Sequence, residues 1–498
     1  MPTRNSLSRL ALGLLAGAWI AGPVLAQPSA LAQPSALAQP SALAQPSAPG
    51  SGEPAFRALY RELVETNTSA SVGSCTLAAE RMAARLKAAG YPETDLTLFA
   101  TPEFPKHGGL VASYPGRDPK LKAVLLLAHI DVVEARREDW TRDPFTLVEE
   151  DGFFYGRGVS DDKAQAAVWV DTLIRYRQEG YKPRRAIKLA LTCGEEGGSP
   201  FNGAAWLVAN RRDLIDAEFA LNEGAGGQLD NGGRRLTHTI EAEQKSNHTY
   251  TLEVTNPGGH SSRPVPDNAI YHLVDAVGRI RSHAFPVQID QVNSAYLIRM
   301  SEVVGGEAGA AMKALVADPA NARADALLSA DPNLNRILRT TCVATMLNAG
   351  HAANALPQRA GASINCRIFP GVTREAVRDT LVQAINDPAV TVSEVPAALG
   401  GAEPALPPLT ARIMGPIETL SAQMWPGVPV VRGVQAWATD GRRLTAAGIP
   451  TYGVTGLFVE PDLGHIHGLN ERIGVRALME GRAFMYRLVR IYAEQKAP

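Results

Sequence analysis

The sequence predicts an α/β protein, with a mainly parallel sheet covered by helices and a smaller ferredoxin-like α+β layer inserted into it. Three observations predict this. The runs "KAVLLLAHI" (122–130) and "RAIKLALTC" (185–193) are almost continuously apolar, as strands buried on both faces require. Amphipathic helical stretches alternate with such runs from Glu53 to about Gln244. Near Ser246 the rhythm changes to β-α-β-β-α-β, and the first pattern resumes after about residue 408. A chain of 498 residues exceeds one compact core, which agrees with one domain inserted in another. A formal net charge of −1 leaves no basic field for nucleic acid, so small or locally recognised partners are expected.

Arg4 and Arg9 precede the apolar run "LALGLLAGAWIAGPVLA", which ends in small residues. Residues 1–26 therefore read as a secretory signal, implying a bacterial periplasmic or secreted protein with no membrane contact after cleavage. An uncleaved anchor is the rival reading, but the run falls short of the ~20 apolar residues of a spanning helix. "QPSALA" repeats fill 27–50 and read as an extended spacer. Residues 51–245 form the first part of the main domain, with helices expected over 77–91 and 162–179 and a strand over 216–224. Residues 246–398 form the second domain. Its strands are expected at "HTYTLEVT", 341–350, 359–369 and 389–395, its helices at 268–282 and 374–386, and a mainly helical insertion at 287–338. "GGAEPALPP" (400–408) reads as the linker back, and 399–498 completes the main domain.

Cys75, Cys193, Cys342 and Cys366 form no CxxC pair, so a zinc knuckle is not expected. Export permits disulfides without requiring them. A hairpin centred near Asn354 sets Cys342 opposite Cys366, at the ~4.5–5.5 Å Cα spacing a disulfide accepts. Because free cysteine is a common small buried residue, two thiols are the expectation for that pair. Cys75 and Cys193 are expected to be free.

Ionisable residues stand where open α/β sheets place chemistry, at the carboxyl ends of strands. The first run ends in His129 and Asp131. "YGRGVSDDKA" brings Asp161 and Asp162, "CGEEGG" brings Glu195 and Glu196, "NEG" brings Glu223, and "LGHIHGLNERI" brings His465 and His467. Each has a plain reading alone: a structural histidine, a helix N-cap aspartate, a solvated acidic turn. Together they place two imidazoles and several carboxylates at one end of a sheet. Adjacent buried carboxylates repel unless a cation lies between them. Nitrogen and oxygen donors suit zinc, with cobalt or manganese as substitutes. Five ligands exceed one catalytic zinc, whereas two metals sharing a bridging carboxylate use them all.

These motifs resemble the M20 family of metallopeptidases from about Gly52 to the end of the chain. "HIDVV", "GRGVSDDK", "GEEGG", "NEG" and "HGLNE" match the family's motifs in order, most closely those of its carboxypeptidase S branch. The resemblance implies a zinc-hydrolase catalytic domain with a lid and dimerisation domain. His129, Asp161 and Glu223 would bind one zinc, and Asp161, Glu196 and His467 the other. Asp131 would orient His129, and Glu195 would be the general base. His465 shares a strand face with His467 and is the alternative ligand. Glu134 and Ala164 depart from the residues most relatives carry, and Glu223 stands where several have aspartate.

In "NPGGHSSRPVPDNAI", His260 resembles the lid histidine that stabilises an oxyanion, usually across a homodimer. Asn354 and Arg367 resemble residues that hold substrate. An arginine fork suits a free α-carboxylate, although a surface ion pair is the alternative role for Arg367. The implied activity is cleavage of amide bonds, as a carboxypeptidase acting on small peptides or as an N-acyl-amino-acid amidohydrolase. The contrasting reading is a catalytically silent metal- or peptide-binding protein of the cell envelope, against which stands the presence of every ligand and of Glu195.

Overall fold

The computed structural model describes residues 52–395 and 407–497, apart from 198, 199 and 438. The signal over 1–26, the spacer over 27–50 and most of the 400–408 linker lie outside these residues. The first helix, Glu53–Glu65, precedes Cys75–Ala88, which Ser74 caps by accepting the Leu77 amide. The central sheet has six strands in the spatial order Leu96–Thr101, Phe104–Tyr114, Ile187–Thr192, Val124–His129, Phe219–Asn222 and Thr451–Gly453. Its last four strands are mutually parallel, and the first two form an antiparallel hairpin on one edge. That hairpin carries no chemistry-bearing motif and was not expected.

Val124–His129 is buried along its whole length, as its apolar run requires. The helix Lys163–Gln178 packs on it, and the Trp169 indole donates to the Leu127 carbonyl at 3.1 Å. Gly180, at φ +63°, terminates that helix in the left-handed region. A second sheet, absent from the sequence-based expectation, orders Val430–Gln435, Arg235–Gln244, Gly227–Leu229 and Phe458–Val459.

Ser246–Thr255, Arg359–Ile368, Thr341–Ala349 and Val390–Glu394 form a separate antiparallel sheet. Helices Ala269–Ser282 and Arg374–Ile385 share its core, giving the expected β-α-β-β-α-β order. Alternation along Arg359–Ile368 buries Ala360, Ala362, Ile364, Cys366 and Ile368 and turns Ser363, Asn365 and Arg367 to the open face. The inserted residues form four helices between Gln291 and Leu338, whose apolar core takes in Val431 of the second sheet.

The cysteines depart from expectation. Cys342 and Cys366 are register partners, as the symmetric hairpin predicts, but they are a disulfide rather than two thiols, with Cα atoms 4.1 Å apart. Cys75 and Cys193, also expected free, form a second disulfide spanning 118 residues of sequence. Their sulfurs meet because the start of Cys75–Ala88 packs against the end of Ile187–Thr192, a proximity no local pattern reveals. Thiol titration of unfolded, unreduced protein is expected to find no free thiol; two per chain would remove one of the bridges.

Candidate metal centre

His129 is the last residue of its strand and almost fully buried. Its Nδ1 lies 3.1 Å from the Asp131 carbonyl and 3.6 Å from the Asp131 carboxylate. As a metal ligand, His129 would keep a proton on Nδ1, donated there, and offer Nε2 to a cation. Nε2 is 3.1 Å from Asp161 Oδ1 and 3.6 Å from Glu223 Oε1. The other oxygen of Asp161, Oδ2, is 3.2 Å from His467 Nε2, which lies 2.8 Å from Glu196 Oε2. Two candidate ligand sets therefore share Asp161: His129, Asp161 and Glu223, and Asp161, Glu196 and His467, with donor atoms of each set within 4.8 Å of one another. His465 belongs to neither, since its ring pairs with Asp462 at 3.2 Å.

Asp131 does more than hold a ring. Its carboxylate accepts the amides of Glu195 at 3.3 Å and Glu196 at 3.1 Å, so it aims the acidic pair as well as the histidine. Gly194 makes the turn before that pair possible. It sits at φ +91°, and a Cβ there would lie 1.9 Å from the Phe201 carbonyl oxygen. Two departures from the family pattern lie outside both sets: Glu134 accepts from Ser71, and Ala164 is buried in its helix.

Electrostatics test whether cations fit. Burial, reinforced by neighbouring carboxylates, pushes Glu195 and Glu223 well above the usual carboxylate range and raises Glu196. Burial opposes ionisation of Asp161, but hydrogen bonds to His129 and His467 outweigh it and hold Asp161 low. Bonds to Asp161 and Glu196 push His467 up to about 10. His129 is desolvated, yet Glu223, Asp131, Asp161 and Glu195 raise it well above its ordinary value. The pocket thus holds more negative charge than two imidazoles neutralise. Two divalent cations with nitrogen and oxygen ligands fit that imbalance.

The model of peptidase family M20/M25/M40 matches residues 125–491. The chain belongs to this family. Among its relatives, the probable carboxypeptidase S-like 2 of Dictyostelium discoideum is 29% identical over 395 residues, covering 76% of this chain and 74% of that one. An N-fatty-acyl-amino acid synthase/hydrolase of Xenopus tropicalis is 30% identical, covering 73% and 71%. The fold is similar to that of an M20 family metallo-carboxypeptidase from Sulfolobus solfataricus, with a TM-score of 0.63 at 18% identity over 88% of this chain and 99% of that one. The chain is an M20 family hydrolase.

Other expected site residues are distributed unevenly in this M20 chain. Arg367 is half-buried on the open sheet face and within electrostatic reach of Glu195. His260 and Asn354 meet each other instead. His260 pairs with Ala355 in a short exposed ladder, and the Ser261 amide donates to the Asn354 carbonyl at 3.1 Å. Among the described residues, no hydrogen bond or ion pair links either to the carboxylates.

Two supports were missed by the sequence reading. Glu471 is the last residue of the "HGLNE" motif. Buried against Arg157 at 2.8 Å, it accepts the amides of Gly158, Ser160 and Asp161, at 3.0, 2.9 and 3.2 Å. It sets the backbone that presents Asp161. Asp440, just past the strand Val430–Gln435, accepts from Thr192 at 3.1 Å and from Asn202 at 2.7 Å. Those two residues bracket the Glu195–Glu196 loop, so Asp440 clamps its base. The strand-end rule could have flagged Asp440. Replacing Glu471 by Gln leaves a buried guanidinium without its counter-charge. It is expected to cost ~3–5 kcal/mol of stability and to lower metal occupancy, read by urea unfolding and elemental analysis.

Proposed function

We propose that this chain is an exported di-zinc carboxypeptidase that releases C-terminal amino acids from small peptides. The observation that carries the reading is the division of Asp161, with Oδ1 3.1 Å from His129 and Oδ2 3.2 Å from His467. One zinc would be held by His129, Asp161 and Glu223, the other by Asp161, Glu196 and His467, with cobalt or manganese able to substitute. When bound, such a pair acidifies water and polarises a carbonyl.

The chain's own residues supply the rest. Glu195, adjacent to Glu196 but in neither ligand set, takes a proton from the attacking water and returns it to the leaving nitrogen. Arg367 binds the α-carboxylate of the C-terminal residue through its planar fork. His260 donates to the oxyanion and Asn354 holds the substrate backbone. Their exposed ladder favours delivery from the lid of a second copy. The unpaired edge strand Thr341–Ala349 supports such a homodimer, since it leaves Val343, Met346 and Leu347 59%, 69% and 64% exposed. Export follows from the signal at 1–26, and two disulfides support an oxidising compartment.

The second reading, an N-acyl-amino-acid amidohydrolase, is favoured by the name of the Xenopus relative. It uses the same residues and replaces the peptide's acyl part by another acyl group. A screen of metal-loaded protein against dipeptides, longer peptides and N-acyl amino acids, with C-termini free or amidated, separates the two. Hydrolysis confined to free C-termini and abolished by chelation is expected. Absence of all hydrolysis would favour a silent binding protein.

Replacing Glu195 by Gln is expected to keep both metals and lower kcat at least ~10²-fold, whereas Glu196→Gln is expected to lose metal. The reverse outcome under elemental analysis exchanges their roles. His260→Ala is expected to lower turnover with metal intact. Mixed with Glu195→Gln under subunit exchange, it should regain activity, because each mixed dimer contains one complete site. No rescue would place His260 in its own subunit's site.

A further inference from the structure

Residues 66–75, running from the end of the first helix to the start of the second, are fastened to three segments that carry the site. The buried Lys163 ammonium, two residues past Asp161, donates to the Thr66 carbonyl at 2.8 Å. The Val132 amide, next to Asp131, donates to the Thr68 carbonyl at 3.4 Å, and Ser69 and Val132 form a parallel bridge. Beyond them, Glu134 accepts the Ser71 amide and hydroxyl, each at 2.9 Å. The third attachment is covalent. Cys75 is joined to Cys193, which stands two residues before Glu195.

The loop is also braced within itself. The Asn67 side chain accepts the Ser69 amide at 2.9 Å, and the Asn67 carbonyl accepts the Ser74 amide at 2.9 Å. A Cβ on Gly73 would lie 2.5 Å from the Ser69 nitrogen, so the two limbs run in backbone contact. Thr68, Gly73 and Cys75 line a small pocket whose other walls include Asp131, Cys193 and Gly194. Both sulfurs and one Asp131 carboxylate oxygen lie within 4.8 Å of one another.

The place of this bridge decides what it can do. Asp131 aims the acidic pair by accepting the amides of Glu195 and Glu196, and Gly194 makes the turn before them. Among the described residues, no hydrogen bond joins the loop to residues 193–196, so the disulfide carries that attachment. Hydrogen bonds near a surface exchange with water at little net cost. A disulfide instead holds its Cα atoms in a narrow range, here 6.1 Å apart. Opening it would free the start of Cys75–Ala88 from the end of Ile187–Thr192 and let water from the adjoining pocket reach the Asp131 carboxylate. Water there competes with the two amides.

We propose that the loop 66–75 is a positioning strap for the reacting centre, and that the Cys75–Cys193 bridge sets the aim of Glu195. This rests on the hydrolase reading above, in which Glu195 moves the proton. Cys75 and Cys193 are positioning residues, acting through Asp131 and the turn at Gly194.

The test opens the bridge in metal-loaded protein. Cys75→Ala/Cys193→Ala is expected to lower kcat ~10–100-fold, the usual effect of losing an outer support, with KM little changed. A merely structural bridge would lower Tm and leave kcat per folded, metal-loaded enzyme where it was. Gly73→Ala, which displaces the loop with the bridge intact, should lower kcat in the same direction. Should the Cys75/Cys193 pair of substitutions prevent folding, Cys342→Ala/Cys366→Ala leaves Cys75–Cys193 as the one bridge for a trialkylphosphine to open. The phosphine takes the oxygen of a water and becomes its oxide, and the two sulfurs take the hydrogens as thiols. Two new thiols by titration, with circular dichroism unchanged, mark the opened state, whose kcat is compared with that of the unreduced protein.

Cobalt-substituted protein gives a readout that needs no turnover. Its visible absorption is expected to shift when the bridge opens, because Glu196 shares the Glu195 turn. A shifted spectrum with no substrate hydrolysed by any form would uphold the strap and sink the hydrolase reading. An opened bridge that leaves the kcat of an active enzyme unmoved, or the spectrum of an inactive one unmoved, overturns the proposal.

Discussion

Mutual repulsion among buried carboxylates is the constraint on which the rest of this molecule depends. Asp131, Asp161, Glu195, Glu196, Glu223 and Asp440 crowd around His129 and His467, and most of them are raised by burial and by one another. Such a cluster opposes its own assembly unless positive charge joins it. Its rigidity must therefore come from elsewhere. The parallel strands are buried end to end, so their termini are fixed by packing that owes nothing to the site. Backbone amides then do the aiming: Glu471 collects those leading to Asp161, and Asp131 those of Glu195 and Glu196. In each case an anion is spent on orienting another anion.

This division explains what was legible in the sequence. The ligand-bearing residues follow apolar runs, and a strand's end is visible as the change from apolar to ionisable side chains. His129, Glu195 and Glu223 could be placed that way, and the motif order brought in His467. The supports are another matter. Glu471 reaches the Asp161 amide across 310 residues, and Cys75 reaches Cys193 across 118. No periodicity links such positions; only the closed fold makes them neighbours. The Cys342–Cys366 pairing was within reach because a hairpin is local and its register can be counted. Its oxidation was not, since packing satisfies a buried thiol as readily as a bridge.

Asp131 shows a subtler limit. Its spacing from His129 led to one role, orienting the ring. The structure gives the ring mainly the Asp131 backbone carbonyl and gives the carboxylate to the amides of the acidic pair. Residues two apart on an extended chain point the same way, which says that both serve the site. It does not say which atom of each does so.

Charge is also segregated in a way that composition conceals. A formal balance of −1 hides a carboxylate cluster at the strand ends and, on the open face of the antiparallel sheet, Arg367. The two do not neutralise each other, because Arg367 feels Glu195 without forming an ion pair with it among the described residues. Under the carboxypeptidase reading proposed above, a substrate between these opposite charges would carry both a polarisable carbonyl and a negative terminus. An amide with a free C-terminal carboxylate has that polarity along its length.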